Sequence, residues 1–208
     1  MAGRERNPER SRERILDAAL SEFSEHGFAG ARVDVIARRA GLNKQLISHH
    51  FGGKAGLYRS VMAERRMRGG GELVGAAEEV PEALASFFDR AGADTEWVRV
   101  LLWETLEPPE DETATRPDAP EHEAPTTDGR RRRYEDRIDW VRREQAAGRL
   151  PADLAPTMLL LSLLGAALYP VLLPEVCELA TGLRPDDERF AERYRDHLRR
   201  FAAHLADG

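Results

Sequence analysis

The chain's 208 residues allow one large domain or two small ones, and 33% charged with 7% aromatic residues suits a soluble, helix-rich protein. Its net charge of −6 argues against nucleic-acid binding only as an average: residues 1–68 carry 14 Lys/Arg against 8 Asp/Glu, leaving 17 against 29 for the rest, a basic head before an acidic body. The single Cys177 excludes an intrachain disulfide framework and fits a reducing cytoplasm, and no charged stretch followed by an apolar one opens the chain as a secretory signal would.

Good helix formers (Ala, Leu, Arg, Glu) dominate and few windows alternate with period two, which predicts an all-α protein. Residues 1–8 form a basic arm, whose Arg4 and Arg6, with Arg10 just beyond, could enter a minor groove or serve as a solubilising tail. A helix is expected from Asn7-Pro8-Glu9 to His26, with Ile15, Leu16, Ala19, Leu20 and Phe23 as its apolar stripe and Gly27 as its stop. Val33, Ile36, Ala37 and Ala40 then mark a short helix that Gly41 ends. Asn43 can cap a second short helix, Asn43 to His50, in which Ile47 and Phe51 share one face. Two short amphipathic helices across a tight glycine turn are helix-turn-helix architecture, and Lys44, Gln45, Ser48 and His49 on the outer face can hydrogen-bond to nucleic acid. A further helix is expected from about Lys54 towards Arg68, and Gly69 to Gly71 mark a hinge between a head, 1–68, and a body, 72–208.

In the body, Pro81 to Ala91 and the very apolar Asp94 to Glu107 read as helices, followed by an acidic, Pro-rich mobile loop over 108–128. Arg130 to Ala147 is a charged helix with an expected inner face of Tyr134, Ile138, Trp140 and Val141. Thr157 to Leu173 is interrupted by Pro170 and followed by Glu175 and Glu178, so a helix buried all round, in a core or a subunit interface, is expected in place of a membrane span. A short piece, Glu175 to Ala180, precedes the last helix, Glu188 to Leu205.

No nucleophile–base pairing, metal-ligand spacing or phosphate loop is visible, which sets a small helical enzyme far behind a binding protein and predicts no cofactor. His49 and His50 point about 100° apart on a helix and have no Cys or acidic partner at ligand spacing, so no zinc site is expected there.

Arg14 to Arg65, with the segments RILDAALSEFSEHGF and VDVIARRAGLNKQLISHHFGGKAGLYRSV, resembles the N-terminal domain of the tetracycline-repressor (TetR) family of bacterial regulators. The ordered set Ile15-Leu16, Ala18-Ala19, Phe23, Gly27-Phe28, Ile36-Ala37, Ala40-Gly41, His50-Phe51, Lys54 and Leu57 carries the resemblance. The resemblance implies a ligand-responsive repressor that binds a near-palindromic operator as a homodimer, with a helical C-terminal domain for effector binding and dimerisation. Carried over by position, Lys44, Gln45, Leu46, Ser48 and His49 would face the major groove, and Lys54 and Arg32 would hold phosphates. Ser48 departs from the tyrosine common at its position, and Leu46 stands where a polar residue is frequent. An effector pocket is implied among the body helices, with Phe88, Trp97, Leu101, Trp103, Trp140, Met158 and Tyr169 as lining and Glu104 as polar anchor or, alternatively, an ordinary ion-paired carboxylate. Leu161, Leu164, Leu168, Tyr194, Leu198 and Phe201 are candidates for a four-helix dimer interface. A regulator controlled by a protein partner, with no small-molecule effector, is the alternative.

Overall fold

The computed structural model describes residues 8–67, 79–106 and 127–206; among these there are ten α-helices and no strand. They are α1 (Pro8–Gly30), α2 (Val33–Ala40), α3 (Lys44–Phe51), α4 (Lys54–Met67), α5 (Val80–Ala93), α6 (Thr95–Leu106), α7 (Thr127–Ala146), α8 (Pro156–Leu172), α9 (Pro174–Thr181) and α10 (Glu188–Ala206). The all-α expectation holds. The glycine hinge, the arm up to Asn7 and most of the acidic 108–128 segment lie outside the described residues, although Thr127 and Asp128 open α7.

The helices form two compact units. One contains α1 to α4 and α6, and the other contains α5 and α7 to α10. The expected single boundary between residues 68 and 72 would have given α6 to the body, but this helix packs with the head. The reason is its apolar stripe. Trp97 (3% exposed) and Val100 (0%) complete the core built by Ile15, Leu20 and Phe23 of α1, Ile36 of α2, Ile47 of α3 and Leu57 and Met62 of α4. Polar contacts then fix α6 in register. The Trp103 indole N–H donates to the Ser24 carbonyl at 3.2 Å, the Ser21 hydroxyl bonds a Glu96 carboxylate oxygen at 2.7 Å, and Arg66 of α4 grips both oxygens of the buried Glu104 at 2.9 and 3.1 Å.

Gly27 kinks α1 instead of ending it. Its backbone at φ 66°, ψ −178° lies in a region only glycine occupies comfortably, and helical residues continue to Gly30. This bend brings the α1 backbone against the Trp103 ring, which a side chain at position 27 would meet at 3.0 Å.

In the second unit, Val80, Leu84, Phe87 and Phe88 of α5 pack with Leu159, Leu160, Leu163 and Ala167 of α8, and with Phe190 and Leu198 of α10. Val141 of α7 joins them, but Tyr134, expected on the same inner face, is 48% exposed because it stands two turns nearer the α7 start, beyond that core. Ion pairs from Arg195 to Asp89 (2.9 Å) and from Arg199 to Glu82 (2.9 and 3.1 Å) tie α10 to α5. Pro170 lies inside α8 and has no N–H to offer the Ala166 carbonyl one turn back. The Tyr194 hydroxyl supplies that missing donor, at 2.7 Å.

The expectation that α8 is buried all round does not hold within one chain. Leu159, Leu160 and Leu163 are buried, whereas Met158, Leu161 and Tyr169 stand in solvent on the other side. Among the described residues no single helix is long and apolar enough to cross a membrane.

Candidate nucleic-acid interface

The helix-turn-helix is assembled by local chemistry. Gly41 takes the left-handed conformation (φ 64°, ψ 36°) that closes α2, and the Leu42 N–H reaches back to the Ala37 carbonyl at 2.9 Å while the Leu42 side chain tucks against the head core. Asn43 follows as N-cap of α3, its side-chain oxygen accepting the Gln45 N–H at 3.0 Å. Ile47 (0% exposed) and Phe51 (8%) anchor the inner face of α3. That anchoring leaves Lys44, Gln45, Ser48 and His49 exposed together on the outer face.

Leu46 is placed differently from its fellow candidates. It is half-buried and leans on the head core, so only part of its side chain faces outward. His50 is also half-buried, wedged edge-on between the rings of His49 and Phe51.

The two expected phosphate-holding cations have contrasting surroundings. Arg32 is an exposed side chain with one loose contact, to Asp34 at 3.4 Å, while its backbone N–H at the N-cap of α2 donates to Glu22 at 3.1 Å. Lys54 is engaged inside the head: its ammonium donates to the Ala29 carbonyl at 3.0 Å and lies 5.0 Å from the centre of the Phe28 ring. Partial burial lowers its pKa below the ordinary lysine value, with Glu22 acting weakly in the opposite sense. Lys54 therefore joins the end of α1 to the start of α4 as well as offering charge near α3.

Further cations surround this face that sequence reasoning did not assign. Arg12 lies over the Phe51 ring at 5.7 Å and 3.7 Å from Glu64. The Arg14 guanidinium sits so close to Gly41 that a side chain there would meet it at 2.7 Å. Arg14 thus stands at the turn between α2 and α3, which the exposed Arg38 and Lys44 flank in sequence, while Arg12 adds its charge at the far end of α3. The only sequence signal for Arg12, Arg14 and Arg38 was the basic surplus of residues 1–68. Arg39, by contrast, is spent internally in a two-pronged pair with Glu25 at 3.2 Å, which raises its pKa and lowers that of Glu25.

The expected pocket residues fall into separate places. Trp97, Leu101, Trp103 and Glu104 lie on α6 in the first unit, and Glu104 is the ion-paired partner of Arg66. Phe88 and Trp140 pack in the second core, while Met158 (60%) and Tyr169 (48%) are exposed. A cleft of about 460 Å³ in the first unit is lined by Ser24, Glu25, His26, Arg99, Leu102, Trp103 and Leu106. In the second unit, Val80, Ala83, Leu84, Trp140 and Leu163 line a space of about 10 Å³, close to the size of one water. Of the dimer candidates, Leu161 is 59% exposed, and Leu164, Leu168, Tyr194 and Phe201 are half-buried on the second core. Leu198 is fully buried within its own chain, so its side chain is closed to a partner as the protomer stands.

Comparison with known proteins divides the chain by sequence, so that α6 falls within the second match. Residues 15–61 match the profile of bacterial regulatory proteins of the tetR family, and residues 79–203 match that of a tetracyclin repressor-like C-terminal domain. The chain is 31% identical over 206 residues to the HTH-type transcriptional repressor SCO4008 of Streptomyces coelicolor, covering 97% of this chain and 98% of the relative. It is also 31% identical over 112 residues to the repressor NicS of Pseudomonas putida, covering 50% of this chain and 52% of that protein. Among solved structures, the transcriptional regulator SCO4942 from Streptomyces coelicolor superposes with a TM-score of 0.70 at 25% identity, over 94% of this chain and 97% of that one. A helix-turn-helix head with matches over both of its regions, and a full-length relative, show that this chain belongs to the tetR family of bacterial regulatory proteins, which are DNA-binding transcription regulators and not enzymes.

Proposed function

We propose that the protein is a repressor that binds a near-palindromic operator as a homodimer and releases it when a small molecule binds. The observation that carries the reading is the outer face of α3, where Lys44, Gln45, Ser48 and His49 are exposed together on a helix anchored by Ile47 and Phe51. Such a helix fits the major groove. Gln45 can pair with adenine and Lys44 with guanine, each good pairing discriminating by about 1–3 kcal/mol, while Arg32 and Lys54 hold phosphates. The repressor role is supported by the full-length relative, itself named a repressor.

The dimer is supported by α8, whose exposed Met158, Leu161 and Tyr169 place apolar surface in water. Two α3 helices spaced by about 34–36 Å would reach successive major-groove turns. An effector acts on this equilibrium only by binding the released state more tightly than the DNA-bound one.

Selection of bound sequences from a random DNA pool tests the reading directly. The expected product is a site with two related half-sites, bound with strong salt dependence and lost in a Lys44→Ala/Gln45→Ala variant. An unstructured pool, or equal retention by that variant, refutes the role of α3. Leu161→Glu is expected to shift the protein from dimer to monomer in light scattering, and a wild-type monomer at micromolar concentration refutes the dimer.

A further inference from the structure

The α1 segment Glu22-Phe23-Ser24-Glu25-His26 places two carboxylates and an imidazole at positions i, i+3 and i+4, which share one face of a helix. One ligating atom from each of Glu22, Glu25 and His26 lies within 4.8 Å of the other two. Glu22 is 1% exposed, and its two oxygens differ. Oε1 accepts the Arg32 N–H at 3.1 Å, whereas the buried Oε2 has no hydrogen-bond donor. The nearest cation to Oε2 is Arg39, at 3.8 Å, and that guanidinium is turned to make its two hydrogen bonds to Glu25. Arg39 is thus shared between two carboxylates, and one buried oxygen is left without a donor. Glu25 and His26 also line the open cleft of about 460 Å³, which gives an ion a path in and leaves room for waters to complete its coordination.

We propose that Glu22, Glu25 and His26 form a binding site for a first-row divalent metal ion such as Zn²⁺, in competition with the Arg39 guanidinium. The donor set decides the class of ion. An imidazole nitrogen with two carboxylate oxygens suits zinc and its neighbours, whereas magnesium and calcium favour oxygen alone and copper(I) favours sulfur. Ligand atoms around a tetrahedral zinc at about 2.0–2.1 Å stand roughly 3.4 Å apart, so the trio must close somewhat. The two side chains that have to move stand in solvent: Glu25 and His26 are 45% and 50% exposed, Glu25 has to leave Arg39, and the buried Glu22 serves as the fixed member. A doubly positive ion can be held by both carboxylates at once, whereas the Arg39 guanidinium makes its hydrogen bonds to Glu25 alone.

The site lies against the helix-turn-helix. Glu22 accepts the amide at the N-cap of α2, and Arg39 sits in the last turn of α2. Metal capture would release Arg39 from Glu25 while leaving Glu22 at the other end of that helix.

Calorimetric titration of the full-length, chelator-treated protein with zinc tests the site. The expected result is one zinc per chain, affinity at least 10-fold weaker in His26→Ala, unchanged in His49→Ala/His50→Ala, and tighter in Arg39→Ala. His26 is solvent-facing, so its replacement leaves the core intact. Absence of uptake by the wild type, or equal affinity in His26→Ala, overturns the proposal, and an Arg39→Ala variant no tighter than wild type overturns the competition. The titration reads metal uptake alone, so its failure leaves the DNA-binding reading standing.

Discussion

Replacing Gly27 with alanine attacks the bend of α1 and the seat of α6 at once. At φ 66°, ψ −178° a residue with a Cβ pays backbone strain of about 1–3 kcal/mol. The added carbon would also stand 3.0 Å from Cδ2 and Cε3 of the Trp103 indole, closer than ordinary van der Waals contact. Relief by tilting the ring weakens the 3.2 Å bond from the indole N–H to the Ser24 carbonyl, a bond of about 1 kcal/mol. Together these give a destabilisation of about 2–4 kcal/mol for Gly27→Ala, which at roughly 2–4 °C per kcal/mol is a substantial fall in the melting temperature. Urea or thermal denaturation followed by circular dichroism measures it. Trp103→Ala separates the two contributions, because strain persists without the ring but the clash does not. Gly27→Ala should therefore cost less in a Trp103→Ala background than in the wild type. A variant within about 0.5 kcal/mol of wild type, the ordinary range of surface changes, refutes both the strain and the close packing.

Tyr194→Phe removes the hydroxyl donor on the carbonyl to which Pro170 offers no N–H, and should lower stability by about 1 kcal/mol in denaturant titration; Leu198→Ala, which opens a core cavity, should lower it by about 2–5 kcal/mol. Acid should weaken the α1–α2 contact. The Arg39 hydrogen bonds hold the Glu25 pKa below 4.5, so the folded state binds fewer protons than the unfolded one; the stabilisation is complete above 4.5 and fades as pH falls through the lowered value. Thermal melts across that range should show a shallower acid limb in Arg39→Ala. For the DNA contacts, Arg32→Ala should weaken binding about equally across operator sequences and reduce the salt slope by about 1, read from binding titrations at several salt concentrations.

Much of the head was legible because its local signals agree with one another. The stripe of Ile15, Leu20 and Phe23, the left-handed Gly41 and the Asn43 cap each act over a few residues, and each is where periodicity and turn chemistry put it. What escaped was settled by contacts distant in sequence. The apolar content of α6 announces burial, yet it cannot say which core receives Trp97 and Val100. Glu104 finds its partner 38 residues away in Arg66, and the Lys54 ammonium finds the Ala29 carbonyl 25 residues back, pairings that no local pattern encodes. Leu198 looked like an interface residue because an apolar stripe reads alike whether it is covered by the same chain or by a copy. The trio Glu22, Glu25 and His26 was hidden because two acids and a histidine within one helical turn read as an ordinary solvated face.

The allegiance of α6 bears on how regulators of this kind can be recombined. The chain leaves the unit containing α3, contributes α5 to the other unit, and then returns with α6. A fragment cut after α4 would expose the apolar seat of Trp97 and Val100 and forfeit the anchor of Arg66, inviting aggregation. Grafting this DNA-reading head onto a foreign sensor therefore calls for two junctions beyond α4, one on either side of α6, so that the helix travels with the head it completes.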